Sequence, residues 1–132
     1  MRWSFPADLR APAAAREVAR EFAIARGADP DVVDAIALCV SEAVTNAVVH
    51  AYRNSARRGR VKLEAYEDDE GCLWFHVRDS GDGLSPRPDS PGLGLGLPII
   101  SQTATGMALR TPEEGGTEIV MQFHADRLAR RA

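Results

Sequence analysis

The segment Ser41-Glu42-Ala43-Val44-Thr45-Asn46-Ala47-Val48-Val49-His50-Ala51-Tyr52 has the periodicity of an amphipathic helix. Its apolar stripe recurs at intervals of three and four residues and consists of Val33, Ile36, Val40, Val44, Ala47 and Ala51. At about 100° per residue, Glu42, Asn46 and His50 stack one turn apart on a different stripe. Leu38 and Val49 share the side of Glu42, so this side is not a plain water-facing surface. Because burying an unpaired carboxylate or amide is costly, both need partners, either protein groups or a ligand.

Length and composition predict one globular domain over residues 1–132, with 45% apolar and 27% charged residues. The net charge of −3 argues against non-specific nucleic-acid binding as the main task. Cys39 and Cys72 have no metal-site spacing and are predicted to be reduced thiols in packed elements. With no continuous apolar run of about 18 residues and no signal peptide, we expect a cytoplasmic protein.

Hydrophobic periodicity and turn residues predict three helices and five strands. The predicted helices are Ala11 to Ala25, Asp29 to about Tyr52, and Leu97 to Thr103. The predicted strands are Trp3 to Phe5, Arg60 to Glu67, Cys72 to Asp79, Met107 to Arg110 and Thr117 to Phe123.

Two polar residues share the parity of the apolar residues in their strands. Asp79 has the parity of Leu73, Phe75 and Val77, and Thr117 has that of Ile119, Met121 and Phe123. Both side chains are therefore predicted to point to the covered face of a sheet. An aspartate before Ser-Gly also often bonds its own backbone in a turn. For Asp79, the inward direction of the side chain favours contact with a ligand or a buried partner over such a turn.

Glycines cluster in Asp79-Ser80-Gly81-Asp82-Gly83 and in Gly92-Leu93-Gly94-Leu95-Gly96. There is no Gly-Lys-Ser/Thr, and the second cluster is not a GxGxxG that follows a strand. Glycines permit a close approach of the backbone to a ligand, and a helix N-terminus after them suits phosphate. Each cluster alone is weak evidence, but their order after Glu42-x-x-x-Asn46 and before Gly116-Thr117 is more specific.

In this order and spacing the chain resembles the GHKL (Bergerat-fold) ATP-binding domains, from the first helix to Phe123. The stretch from Glu42 to Tyr52 is most similar to the anti-sigma-factor serine/threonine kinases of the RsbW/SpoIIAB type. The resemblance implies a two-layer α/β (α+β) sandwich. In such a fold, helices cover one face of a mostly antiparallel, mixed sheet and ATP-Mg²⁺ lies between the layers.

The resemblance also implies roles for individual residues. Asn46 matches the Mg²⁺ ligand, and Glu42 matches the general base that deprotonates the attacking hydroxyl. The alternative for Glu42 is an orienting or salt-bridging carboxylate. Asp79 matches the acceptor of the adenine amino group, and Thr117 matches another adenine contact.

The glycines match residues that lie against the nucleotide. Gly81 and Gly83 would pass close to the base, and the phosphates would be lined by Gly92, Gly94, Gly96 and the helix that starts near Leu97. The segment Ser85 to Pro91 between the glycine clusters is shorter than in the sporulation-type kinases, which predicts a short lid and slow turnover. His50 is expected to be a packed, hydrogen-bonded histidine rather than a catalytic one.

The function implied by the resemblance is that of a bacterial kinase that binds ATP and Mg²⁺ and phosphorylates an anti-anti-sigma (STAS-domain) partner. A sigma factor as a second partner and a homodimer are also implied, without direct nucleic-acid or membrane binding. Two alternatives stay open. One is a non-catalytic ATP-binding module that acts by nucleotide-dependent protein binding, and the other is a GHKL protein whose partner is unrelated to sigma factors.

Overall fold

The computed structural model describes residues 1–54, 59–79, 93–113 and 115–129, and the side chains of all of these except residues 51–54 and 93–96. The described chain contains three helices and five strands. In chain order they are β1 (Arg2–Pro6), α1 (Ala11–Ala25), α2 (Pro30–Asn54), β2 (Arg60–Glu67), β3 (Cys72–Asp79), α3 (Leu93–Thr103), β4 (Gly106–Arg110) and β5 (Glu118–His124).

The strands form one sheet in the order β1-β2-β3-β5-β4. Every pairing among the described strands is antiparallel. Leu73, Phe75 and Val77 of the central strand β3 are buried, as the alternation predicts. The predicted two-layer α/β sandwich is therefore confirmed, with an antiparallel sheet in its described part.

Helix α1 packs against α2 and against strands β1 and β2 at one edge of the sheet. Pro12 lies in its first turn, where the missing N–H is not needed, and Gly27 follows its end with a φ of 76°. Phe22 makes edge-to-face contacts with Trp3 and Phe75, at ring-centroid distances of 6.4 Å and 5.8 Å. These contacts hold α1 against β1 and β3.

Helix α2 runs through the centre of the molecule, and its apolar stripe is completely buried at Ile36, Val40 and Val44. Among the described helices, it is the one long and apolar enough to cross a membrane, but 67% of that segment is buried inside the protein. Asp34 and Glu42 interrupt it, which is why the sequence shows no continuous apolar run of that length. Its burial is that of a core helix.

Helix α3 begins at Leu93, before the predicted start at Leu97. Gly94 and Gly96 have low helix propensity, so the sequence favours a later start. The helix packs on α2, where Ile100 is fully buried, and tertiary packing overrides this weak preference.

Candidate functional site

The buried polar residues of the described chain converge on one place. Four polar side chains are buried, Asn46, His50, Asp79 and Thr117, with 5% to 7% of their surface exposed. All four line the same small cavity between α2 and the sheet. Its volume of about 10 Å³ is roughly that needed for one water molecule. A core that is otherwise apolar therefore concentrates its polar groups where α2 crosses the ends of β3 and β5.

Three elements position these side chains. Asn46 and His50 lie one turn apart on α2, and the alanines Ala43 and Ala47 also line the cavity, where their small side chains let the helix approach the sheet closely. Asp79 is the last residue of β3. Thr117 immediately precedes β5, which runs antiparallel beside β3. The strand parity thus correctly predicts the burial of Asp79 and Thr117.

Asp79 and Thr117 are joined by two hydrogen bonds. The backbone N–H of Asp79 donates to the carbonyl oxygen of Thr117 at 3.1 Å, and the N–H of Thr117 donates to Oδ1 of Asp79 at 3.3 Å. Nδ1 of His50 lies 3.8 Å from Oδ2 of Asp79. The two carboxylate oxygens therefore face different neighbours, one the backbone of the adjacent strand and the other the imidazole on α2.

Nδ2 of Asn46 and Oγ1 of Thr117 are buried at this cavity and make no hydrogen bond to another described residue. Leaving a buried donor or acceptor unsatisfied costs about 1–3 kcal/mol. Native proteins keep such groups where water or a ligand satisfies them. The cavity thus has the chemistry of a polar ligand site.

Gly116 is the residue that allows this arrangement. Its φ is 80°, and a β-carbon built on it would lie 2.5 Å from the carbonyl oxygen of Asp79. Only glycine adopts this backbone conformation while the two segments approach so closely. In the sequence, the signal for this close approach is a glycine directly before the inward-facing Thr117. His50 is buried, as the sequence predicts, and its position on the stripe of Glu42 and Asn46 also indicates its place beside Asn46.

Glu42 lies one turn before Asn46 and is half-buried, outside the small cavity. It has no hydrogen bond or ion pair to any other described residue, and its role as a base or as a salt-bridging carboxylate stays a prediction. Burial raises the pKa of the neighbouring Cys39 thiol from 9.0 to about 12, and the negative charge of Glu42 adds to this effect. A hydrogen bond with Thr103 acts in the opposite direction.

The glycine clusters are only partly covered by the described chain. Gly81, Gly83 and Gly92 lie outside the described residues, whereas Gly94 and Gly96 lie in the first turns of α3. Leu97, on the same helix, is half-buried. The roles of these residues toward a nucleotide stay predictions.

Residues 5–123 match the family of histidine kinase-like ATPase domains. The chain belongs to this family. This match confirms the predicted resemblance to GHKL domains, and it includes almost all of the described strands and helices of this ATPase domain.

Relatives of this ATPase domain include anti-sigma F factors. That of Clostridium acetobutylicum is 28% identical over 133 aligned positions, covering 92% of this chain and 91% of the relative. That of Clostridium botulinum (strain Eklund 17B) is 28% identical over 103 positions, covering 70% and 71%. The sensor histidine kinase PdtaS of Mycobacterium tuberculosis is also 28% identical, but the chain spans only 21% of it. The relatives of this chain therefore include both anti-sigma factors and a sensor histidine kinase.

Solved structures show the same fold. The RsbU and RsbW domains of Rv1364c from Mycobacterium tuberculosis match with a TM-score of 0.70 and 24% identity, over 100% of this chain and 33% of that one. The histidine kinase domain of Erythrobacter litoralis EL346 matches with a TM-score of 0.52 and 26% identity, over 72% and 45%. The chain thus spans a third to less than half of these larger proteins.

Proposed function

We propose that this ATPase domain is an anti-sigma-factor-type serine/threonine kinase that binds ATP with Mg²⁺ and phosphorylates an anti-anti-sigma (STAS-domain) partner. The observation that carries the proposal is the convergence of the four buried polar side chains on one cavity. The relatives named anti-sigma F factor support the regulatory part of the proposal.

The base of the nucleotide would meet the sheet side of the cavity. The Asp79 carboxylate would accept a hydrogen bond from the adenine amino group, as the resemblance implies. Oγ1 of Thr117, which is buried and makes no hydrogen bond to a described residue, would contact the same base. The cavity admits only about one water molecule, so it would form the polar floor of the site rather than the whole of it. Gly81, Gly83, Gly92, Gly94, Gly96 and Leu97 would complete the site around the base and the phosphates.

On the helix side of the cavity, α2 would hold the magnesium ion. Mg²⁺ is held in such sites by one or two protein oxygens together with phosphates and waters. Asn46 would hold Mg²⁺ through its amide oxygen, as the resemblance implies, with the phosphates and waters as the other ligands. The bound ion would supply positive charge to the phosphate oxygens.

Glu42 would accept the proton of the attacking serine or threonine hydroxyl. Its half-buried position on α2 leaves the carboxylate within reach of a docked protein. One observation favours the rival function, a non-catalytic module that holds partners according to nucleotide state: no described residue orients the Glu42 carboxylate by a hydrogen bond.

The domain would act in the cytoplasm as a homodimer and switch between a STAS-domain partner and a sigma factor, thereby regulating transcription. It would bind neither nucleic acid nor membrane directly, which agrees with its net charge of −3. The presence of RsbU and RsbW domains in one solved relative supports a place in such a partner-switching system.

The test has two parts. Calorimetry should show ATP binding in the presence of Mg²⁺ that weakens when EDTA removes the metal. Incubation with labelled ATP and the STAS-domain proteins of the same genome should then give phosphoserine or phosphothreonine on one of them, and none when its acceptor is changed to alanine. ATP binding without transfer to any STAS domain would support the non-catalytic module, and absence of ATP binding would overturn the proposal.

A further inference from the structure

His50 is the one buried polar residue of the described cavity that has no role in the proposed function. It lies one turn after Asn46 on α2, and 6% of its surface is exposed. Burying the ring nitrogens of a histidine costs free energy unless they meet polar partners. Nδ1 of His50 lies 3.8 Å from Oδ2 of Asp79. The fold therefore places an imidazole beside the carboxylate that is expected to recognise adenine.

The other oxygen of this carboxylate faces the neighbouring strand. The N–H of Thr117 donates to Oδ1 of Asp79 at 3.3 Å, and a β-carbon on Gly116 would lie 2.9 Å from the same oxygen. The last torsion of an aspartate side chain has broad energy minima, so the contacts of both oxygens decide the direction of the carboxylate plane. Strand β5 thus borders the carboxylate on one side, and α2 borders it on the other.

The imidazole of His50 suits the second contact. A neutral ring can carry its hydrogen on Nδ1 and donate it to a carboxylate, which is a common way of fixing both groups. The ring projects from the buried helix α2, and Ala43, Ala47, Val77 and Ile119 line the same cavity. The distance of 3.8 Å is longer than a direct hydrogen bond. Such contacts often shorten when a ligand binds, and a movement of less than about 1 Å is enough here.

We infer that His50 is a positioning residue for base recognition, which acts by holding Oδ2 of Asp79 with its Nδ1–H. The inference rests on the proposed function, because it concerns the same nucleotide site. A carboxylate oxygen has two lone pairs, so Oδ2 can accept from the imidazole and from the adenine amino group together. Loss of the imidazole should therefore lower the selectivity for the amino group and leave the binding of the rest of the nucleotide intact.

Two nucleotides measure this selectivity: ATP, and purine riboside triphosphate, which lacks only the 6-amino group. The wild-type chain should bind ATP about tenfold more tightly or better. His50→Leu should reduce this preference by about fivefold or more and change the affinity for purine riboside triphosphate by less than about twofold. His50→Asn places an amide N–H near the position of Nδ1 and should recover most of the preference.

His76→Leu is the matched control. It also removes an imidazole beside a carboxylate, since Nδ1 of His76 lies 3.6 Å from Oε2 of Glu118. The parity of His76 places it on the sheet face that the helices do not cover, so neither affinity should change. The double variant His50→Leu/Asp79→Asn should show the preference of Asp79→Asn alone, because the imidazole acts only through the carboxylate.

Three results would overturn the inference: a wild-type preference in folded His50→Leu, an equal loss of affinity for both nucleotides, or independent effects of the two changes in the double variant. The second result would show a merely structural histidine. Failure of the proposed function has a different signature, because the wild-type chain itself would then not bind ATP, or would not prefer it to purine riboside triphosphate.

Nitrogen-15 NMR of the free wild-type protein tests the contact without nucleotide and without a variant. The spectrum should show a hydrogen on Nδ1 of His50, the nitrogen that faces Asp79. A bare Nδ1 would contradict the inference, because it cannot donate to a carboxylate. This measurement decides the point whether or not His50→Leu folds.

Discussion

Gly116 approaches Asp79 so closely that a β-carbon on the glycine would lie 2.5 Å from the carbonyl oxygen of Asp79 and 2.9 Å from its Oδ1. The end of β3 and the turn before β5 are therefore in backbone contact at the polar cavity. Two hydrogen bonds between Asp79 and Thr117 continue this contact. The position of the Asp79 carboxylate thus depends on a residue that has no side chain.

Gly116→Ala should destabilise the fold through both a clash and an unfavourable backbone conformation. The matched control is Gly71→Ala, because Gly71 has a similar φ of 82° but nothing within 4 Å of an added β-carbon. We expect Gly71→Ala to cost about 1–2 kcal/mol in the free energy of unfolding, and Gly116→Ala to cost roughly 2 kcal/mol more. Urea denaturation measures both values, and equal losses would show that the contact with Asp79 is unimportant.

Asp79→Asn should weaken ATP binding by about tenfold or more and reduce the preference for ATP over GTP. The asparagine amide oxygen can still accept the N–H of Thr117, so the fold should be retained. Competition binding with the two nucleotides measures the preference. Asp34→Asn, at an exposed pair with Arg20, is the control and should change neither quantity. An unchanged preference in Asp79→Asn would refute its proposed contact with adenine.

Asn46→Ala should weaken the binding of ATP with little change in the stability of the fold. Removing Nδ2, which makes no hydrogen bond to any described residue, relieves the cost of a buried unsatisfied donor, and the loss of side-chain packing acts in the opposite direction. The free energy of unfolding should therefore change by less than about 1 kcal/mol. ATP affinity in Mg²⁺ should fall by about tenfold or more, and the difference between Mg²⁺ and EDTA should disappear. Thr45→Ala, exposed on the same helix, is the control. Retention of Mg²⁺-dependent binding in Asn46→Ala would exclude Asn46 as the ligand.

Glu42→Gln should keep ATP affinity within about twofold of the wild type but lower phosphotransfer by about a hundredfold or more, because glutamine cannot accept the proton. Glu64→Gln is the control, since Glu64 pairs with Arg2 on the open face of the sheet. Transfer is followed as the rate of phosphorylation of the STAS partner at saturating ATP. If affinity and transfer fell together, Glu42 would have an orienting role instead.

Cys39 should make the fold sensitive to alkaline pH. Its thiol has a pKa of about 12 in the folded protein, against 9.0 when unperturbed. The unfolded chain therefore loses this proton first, so the stability contributed by the neutral thiol is complete below pH 9.0 and is lost as the pH rises toward about 12. Urea denaturation over this range should give a smaller slope of stability against pH for Cys39→Ala than for Cys72→Ala. Equal slopes would contradict the burial effect.

Much of the site follows from simple periodicities. The period of two places Asp79 and Thr117 on the covered face, and the structure buries both. The helical period separates Glu42, Asn46 and His50 from the apolar stripe. The sequence predicts the start of α3 too late, because glycine has a low helix propensity. In the structure, the packing of Ile100 on α2 stabilises the longer helix.

The sequence by itself determined which elements form and which face of each is covered, because a local repeat of apolar residues is enough to define a face. Only the tertiary structure decided which polar residues meet. The crossing of α2 over the ends of β3 and β5 brings His50 within 3.8 Å of Asp79, and it leaves Glu42 outside the cavity that Asn46 lines. Contacts between residues far apart in the chain depend on how the layers pack, and no local pattern specifies that packing.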